Sequence, residues 1–351
     1  MQTSRRMFVL WASLISPVLI SNPLGFFRSL FAPKGEVRPV KHPPPNPFVR
    51  EGKTLVGVVK GRDVDRMVRE CVALIGGVEK LDVRGKTVLV KPNVVADDPP
   101  PTTTNPEVVA GVVRLLYDAG ARHVVVGDMS GVMRLPTRKN LERTGIERAA
   151  REAGAEVIDF DDAEWIEVKP TQVRLVRSLH VAKPVYEADV LVNVPVVKTH
   201  AYATYSICLK NLVGVTHPRY RPYRVNPAKW EEVVAEMNLA AHPVLNIVDA
   251  TRCMIAGGPV GGTAATTDVI IASGDRVAAD AVGLGLIKSF GKWSGVTDIG
   301  VWDQRQIRRA QELGLGIADR TAVELVTRSL EGRDEAFAKL GAQLRGFLEA
   351  S

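Results

Sequence analysis

Three runs in this chain, TVLV (87–90), HVVV (123–126) and VLVNVPVV (190–197), are apolar almost without interruption, and each ends in polar residues. A strand with one wet face alternates apolar and polar side chains. An unbroken Val/Leu run suits a strand covered on both faces. Between the first two runs lies NPEVVAGVVRLLYDAG (105–120), with Asn105 placed as N-cap, Pro106 at the first helical position and Gly120 at the end. Buried strands that alternate with helices form parallel pairs, because a parallel partner is reached only by a long crossover. TLVGVV (54–59), AEVIDF (155–160), PVLNIVDATR (243–252) and DVIIASGD (268–275) extend the strand series. DVDRMVRECVALIGG (63–77), LERTGIERAAREAG (141–154) and DRVAADAVGLGLIKSF (275–290) read as helices. The expected fold is α/β, a mostly parallel doubly wound sheet with helices on both faces, over residues 53–330. Residues 304–314 are amphipathic, and 331–351 should form a C-terminal helix on the outside or against a partner.

In open α/β sheets, ligands bind beyond the carboxyl ends of the strands. Four strand ends here, KPN, GDMSG, VKTH and VDATR, bring Lys91, Asn93, Asp128, Ser130, Lys198, His200, Asp249 and Arg252 to that side. One polar strand end is routine. Four of this density point to a ligand site.

The third end opens a stretch with no acid between Asp189 and Glu231, in a chain of 46 Lys and Arg against 39 Asp and Glu. That stretch carries Lys198, His200, Lys210, Asn211, His217, Arg219 and Arg221. ATYSICLKNLVG is expected as a short helix ending at Gly214, followed by the Arg- and Tyr-rich loop VTHPRYRPYR. A helix N-terminus beside Lys and Arg attracts an anion, and an acid there would compete for the same cations. TTTNPE (102–107) offers a second helix start, and the glycines of GGPVGG (257–262) would present backbone N–H groups to a ligand.

These residues define a small anionic ligand, phosphate or carboxylate. Lys198, Lys210 and Arg219 would hold it, with Lys91, Asn93, Ser130, Asn211 and Asp249 as further ligand-binding positions. His200 or His217 would act as general acid or base, since histidine titrates near neutrality. Asp128 or Asp249 would orient that histidine or hold a divalent metal. A zinc site of His200, His217 and Asp249 matches no recognised spacing. The leading function is an enzyme acting on that anion. The alternative is a non-catalytic anion- or cofactor-binding protein serving a membrane partner.

Composition removes other classes. The net charge of +7 and pI near 9.3 are modest, and the excess is spread along the chain. No nucleic-acid-binding motif accompanies it, so no nucleic-acid partner is expected. Cys71, Cys208 and Cys253 are far apart with no C-x-x-C, which argues against an iron–sulfur cluster. Buried thiols are expected, with one disulfide left open for an oxidising compartment.

The first fifty residues differ in kind. TSRRMFVL (3–10) resembles a twin-arginine export signal, in which S/T-R-R-x-F precedes an apolar segment. Ser4, Arg5, Arg6 and Phe8 match. The apolar segment, interrupted by Pro17 and Pro23, is short for a membrane span. Residues 1–32 are thus read as an export signal or membrane tether, which implies the twin-arginine machinery as partner and an exported, periplasmic or extracytoplasmic location. Residues 33–52, rich in proline, are expected as an extended linker.

Taken in order, VLVKPN, T-x-N-P-E-V-V, HVVVGDMSG, ADVLVNVPVVKTH, LKNLVGV, NIVDA and GGPVGG resemble the family catalogued as domain of unknown function 362, over about 87–290. The resemblance implies an α/β fold and a bacterial or archaeal origin. It marks Lys91, Asn93, Asp128, Lys198, His200, Lys210, Asn211 and Asp249 as family positions without giving them roles. Some members carry ferredoxin-type clusters. This chain lacks those cysteines, so that redox role does not carry over.

Overall fold

The structure is a computed structural model that describes residues 35–350, the Tyr223 side chain apart. The twin-arginine pattern lies outside the described residues. The strands are β1 (Glu36–Val37), β2 (Val49–Arg50), β3 (Lys53–Lys60), β4 (Thr87–Pro92), β5 (His123–Asp128), β6 (Glu156–Asp159), β7 (Trp165–Val168), β8 (Leu179–Ala182), β9 (Val190–Val194), β10 (Val196–His200), β11 (Thr204–Ser206), β12 (Leu245–Gly257), β13 (Gly262–Ser273) and β14 (Val323–Ser329). Eleven form one sheet with the path β14-β3-β13-β12-β9-β4-β5-β6, and β2, β10 and β11 attach to it. From β12 to β6 every pair on this path is parallel. The exception is β13, antiparallel to both β12 and β3. A turn as short as Gly258–Gly261 permits only a hairpin.

The unbroken apolar runs are explained by what covers them. Along β4, Leu89 enters one hydrophobic core while Val88 and Val90 enter the other. On one face Val64–Leu74 packs beside Pro106–Asp118, and the Cys71 thiol donates to Gly57 O at 3.3 Å. On the other face lies Arg276–Ser289, buried almost throughout, and Glu335–Glu349 packs over it through Phe337, Leu344 and Leu348. Each fully buried Val or Leu contributes about 1.5–3 kcal/mol relative to exposure. The strands therefore hold rigid the edge from which the polar residues project. All three cysteines are buried and unpaired.

Two expectations give way. Residues 36–50 are extended but lie on the body. β1 pairs with β7, β2 pairs with β3, and Phe48 is fully buried in the core. Proline removes backbone donors but leaves carbonyls, and Pro39 O accepts from the Tyr186 hydroxyl at 3.0 Å. The folded body thus begins before Lys53. The short helix expected from 201 is instead a hairpin of β10 and β11, and helix is confined to Cys208–Asn211 with a 3-10 turn at Leu212–Val215. The cause is a change of neighbour. β12 pairs first with β9 and then, past Pro195, with β10, so the sheet continues where β9 stops.

Candidate functional site

The ends of β4, β5 and β10, the short helix Cys208–Asn211 and the hairpin tip after β12 surround a cavity of about 280 Å³. Its floor is a buried ion pair. Lys91, near the end of β4, donates to Asp128 Oδ1 at 2.5 Å, to Pro92 O at 2.9 Å and to Asn211 Oδ1 at 3.2 Å. Asp128, the last residue of β5, also accepts from Met129 N and Val94 N, each at 2.7 Å. Burial holds the Lys91 amine below its ordinary range even beside that carboxylate. Gly214 lies directly against the pair. A Cβ there would come within 2.5 Å of Asp128 Oδ1 and 2.8 Å of Lys91 Nζ, so only glycine lets the backbone approach so closely.

A chain of amides runs outward from the pair. Asn211 Oδ1 accepts from Asn93 Nδ2 at 2.9 Å, and Asn93 Oδ1 accepts from Lys198 Nζ at 2.6 Å. Lys198 also donates to Thr102 O at 2.6 Å. It lies behind Asn93 rather than in the cavity wall. Burial and the neighbouring Lys210 hold Lys198 well below its ordinary value.

His200 and Lys210 face the cavity in a different condition. The His200 ring accepts at Nδ1 from Tyr202 N at 3.1 Å and Ala203 N at 3.2 Å. That acceptance fixes the tautomer, so the proton is on Nε2. Burial, then Lys210 and Lys198, push the ring well below its usual value, so it is neutral. Lys210 forms no hydrogen bond or ion pair among the described residues. Burial, then Arg221 and Lys91, push its amine down to about 7. Arg221, buried in the loop after the helix, completes the polar wall. Met129, Val132, Val213, Tyr202, Trp230, Pro259 and Val260 supply the apolar wall, with the Tyr202 and Trp230 rings stacked at 5.2 Å.

Lys91, Asn93, Asp128, His200, Lys210 and Asn211 are therefore gathered at one cavity, with Lys198 immediately behind. Four other candidates lie elsewhere. Ser130 donates to Val94 O, just past β4, and accepts from Asn140 of the helix Thr137–Arg143. Asp249 is buried at the β12 crossover, where it accepts from Asn105 N at 2.7 Å and from the Thr251 amide and hydroxyl. His217 packs edge-on against Trp165, and its Nδ1 accepts from Arg219 N. Arg219 lines a separate open groove with Glu167, Arg177 and His180. The trio His200, His217 and Asp249 is thus not assembled around one point, and among the described residues no group of three His, Cys, Asp or Glu converges.

The helix starts are also occupied from within. Asp280 accepts from Cys208 N at 2.6 Å and Leu209 N at 3.3 Å. Asn105 and Asp249 cap the Pro106 helix. The GGPVGG glycines form the hairpin tip, where Gly258 at φ +83° packs on Thr199 and its carbonyl accepts from Ala201 N at 3.2 Å. The tip presents Pro259 and Val260 to the cavity, not a row of N–H groups. The sequence placed Arg221 in the acid-free stretch without assigning it to the site, and it did not mark Tyr202 or Trp230. Arg221 was signalled by the same loop that pointed to Arg219, whereas nothing local marks which arginine turns inward.

The sequence model described as Domain of unknown function (DUF362) matches residues 88–285. The chain belongs to this family. Every cavity residue named above falls inside the family span. A relative, the thylakoid-associated protein sll1697 of Synechocystis, is 27% identical over 222 residues, covering 61% of this chain and 67% of that protein. Among solved structures, the lactate racemase apoprotein of Thermoanaerobacterium thermosaccharolyticum aligns with a TM-score of 0.39 at 16% identity, over 61% of this chain and 53% of that one. The chain thus spans about half the length of that protein.

Proposed function

We propose that this DUF362 chain is an enzyme acting on a small organic anion, a carboxylate or phosphate, held beyond the carboxyl ends of the parallel strands. The observation that carries the reading is the charge balance of the cavity wall. Lys91, Arg134, Lys210 and Arg221 line it, and the carboxylate among them, Asp128, is already engaged by Lys91 and two backbone amides. With Lys91 and Asp128 paired to each other, Lys210 and Arg221 are the cations that an anion would balance. The volume is at the low end for ligand pockets, which favours a molecule of a few carbon atoms over a nucleotide. A divalent ion at Asp128 would have to displace Lys91 and face its charge. An amine titrating near neutrality beside a neutral imidazole favours catalysis over simple carriage.

The test is the melting temperature of wild type and Lys210→Met with and without phosphate, sulfate, acetate and pyruvate. At least one anion should stabilise the wild type. Lys210→Met should bind it about ten- to a hundredfold more weakly, the range for a lost hydrogen bond to a charged group. Wild-type melting indifferent to every anion would sink the reading.

The Arg5–Arg6 pattern and the thylakoid-associated relative support an exported, membrane-associated location. Among the described residues no helix is long and apolar enough to cross a membrane. Arg5 and Arg6 changed together to Lys should retain the protein in the cytoplasm, and unchanged fractionation would remove the export reading.

A further inference from the structure

We propose that Lys210 is a nucleophile that captures the carbonyl group of a small 2-oxo or aldehyde carboxylate as an imine. The proposal deepens the anion-binding reading and rests on it for the carboxylate.

Three lysines crowd this end of the sheet, and the structure treats one of them differently. Lys91 donates to three oxygens and Lys198 to two. Those amines are structural, and their nitrogen is not available to a ligand. Lys210 has no such partner among the described residues, and it borders the cavity directly. An amine reacts through its lone pair, so it must be both unprotonated and unengaged. Burial and the neighbouring cations hold Lys210 near pH 7. A far larger share of it is then neutral at pH 7 than of an exposed lysine.

The surroundings fit the rest of the chemistry. Arg221 offers a planar fork for the carboxylate. His200 presents Nε2–H, with Nδ1 held by two backbone amides, as donor to the carbonyl oxygen. Apolar side chains at Met129, Val213 and Trp230 limit the water that would hydrolyse the product. In the step itself, the Lys210 nitrogen pair attacks the carbonyl carbon and a C–N bond forms. The carbonyl oxygen takes up the two amine protons and leaves as water, giving a neutral C=N bond. No oxidant or reductant is consumed.

The experiment traps the imine. Wild-type protein is incubated with pyruvate or glyoxylate and sodium cyanoborohydride at pH 7, then peptide-mapped. Hydride and a proton reduce the imine to a secondary amine, so the labelled lysine gains the mass of the acid less one oxygen atom. Lys80, Lys229 and Lys292, all exposed, serve as internal standards. Labelling should be concentrated at Lys210 by at least a hundredfold. Its rate should level off above pH 7, while the standards continue to rise. Lactate and acetate, which lack the carbonyl, should give no label yet still raise the melting temperature. Lys210→Arg should lose the label while retaining a response to acetate.

The outcomes separate the two readings. Carboxylates that stabilise the protein while label spreads over the exposed lysines overturn the imine and leave the anion pocket standing. Label at Lys210 from simple aldehydes, with no stabilisation by any carboxylate, keeps the nucleophile and removes the anion reading. Neither response overturns both.

Discussion

Among the places where the described residues bury charge, two are built in opposite ways. Glu236, on the helix Trp230–Met237, is fully buried. It accepts from the amides of Arg174, Leu175 and Val176 at 2.9–3.1 Å and from Arg309 at 2.7 Å. Every lone pair is answered from within the chain. At the cavity, Lys91 and Asp128 answer each other, and Lys210 remains without a partner among the described residues. A chain able to satisfy one buried charge so completely could have placed an acid opposite Lys210. Among the described residues no carboxylate bonds Lys210, which separates a charge that the fold satisfies from one that it leaves unanswered.

The contrast can be broken by mutation. The largest effect is expected from Glu236→Ala, which leaves Arg309 without its buried partner and three amides unmet. Loss of one member of a buried pair costs about 3–5 kcal/mol, read as a fall in the urea midpoint. A loss under about 1 kcal/mol would remove the distinction between the two regions.

Lys210→Met should act on binding rather than folding. The free protein should melt at the same temperature or higher, because a desolvated amine is gone. Its pH dependence sharpens the point. A lysine at about 7 when folded and 10.5 when unfolded binds fewer protons in the folded state between those values. Stability therefore rises with pH across that window, and the burial penalty is fully present below it. Lys210→Met should flatten this rise without abolishing it, since Lys91 and Lys198 are shifted in the same direction. An unchanged slope would mean that Lys210 titrates as a surface group.

Gly214→Ala should cost about 1–3 kcal/mol as overpacking against the Lys91–Asp128 pair. It should also weaken anion stabilisation, because the floor must move. The smallest effect belongs to the exposed Arg328–Glu70 contact. Arg328→Ala should change stability by less than about 1 kcal/mol, and it sets the scale for the others.

Much of the scaffold was legible in advance, for reasons that are local. Val/Leu runs such as TVLV record burial on two faces, and Asn105-Pro106 with Gly120 records the ends of a helix. The β10–β11 hairpin was not legible, because its turn uses Thr204 at φ +65° where glycine would have announced it. The saturation of Asp249 and Ser130 was equally hidden. Their polar character suggested a ligand, but their partners are groups of the chain itself, several of them brought from distant segments such as Asn105, Val94 and Asn140. The helix start at Cys208 failed as an anion site for a similar reason, since its cap is an aspartate from a distant helix. The acid-free stretch was read correctly as a composition, while the acids that border it, Asp128 and Asp280, come from outside its span. Lys198 looked like the leading cation because it ends a strand, yet it supports Asn93 from behind, and Lys210 takes the forward position.

The hairpin tip beyond β12 has a consequence of its own. Pro259 and Val260 border the cavity from a turn whose glycines are held by Thr199 and by β12 itself, while the ammonium groups rise from strand ends and a helix on the opposite side. Electrostatic preference and steric tolerance are therefore set by separate pieces of chain. A longer or bulkier turn would narrow admission without disturbing Lys91, Lys210 or Arg221. A shorter one would widen the same opening. Editing a few partly exposed residues of the turn would thus reshape the cavity while leaving the Lys210 amine where it is.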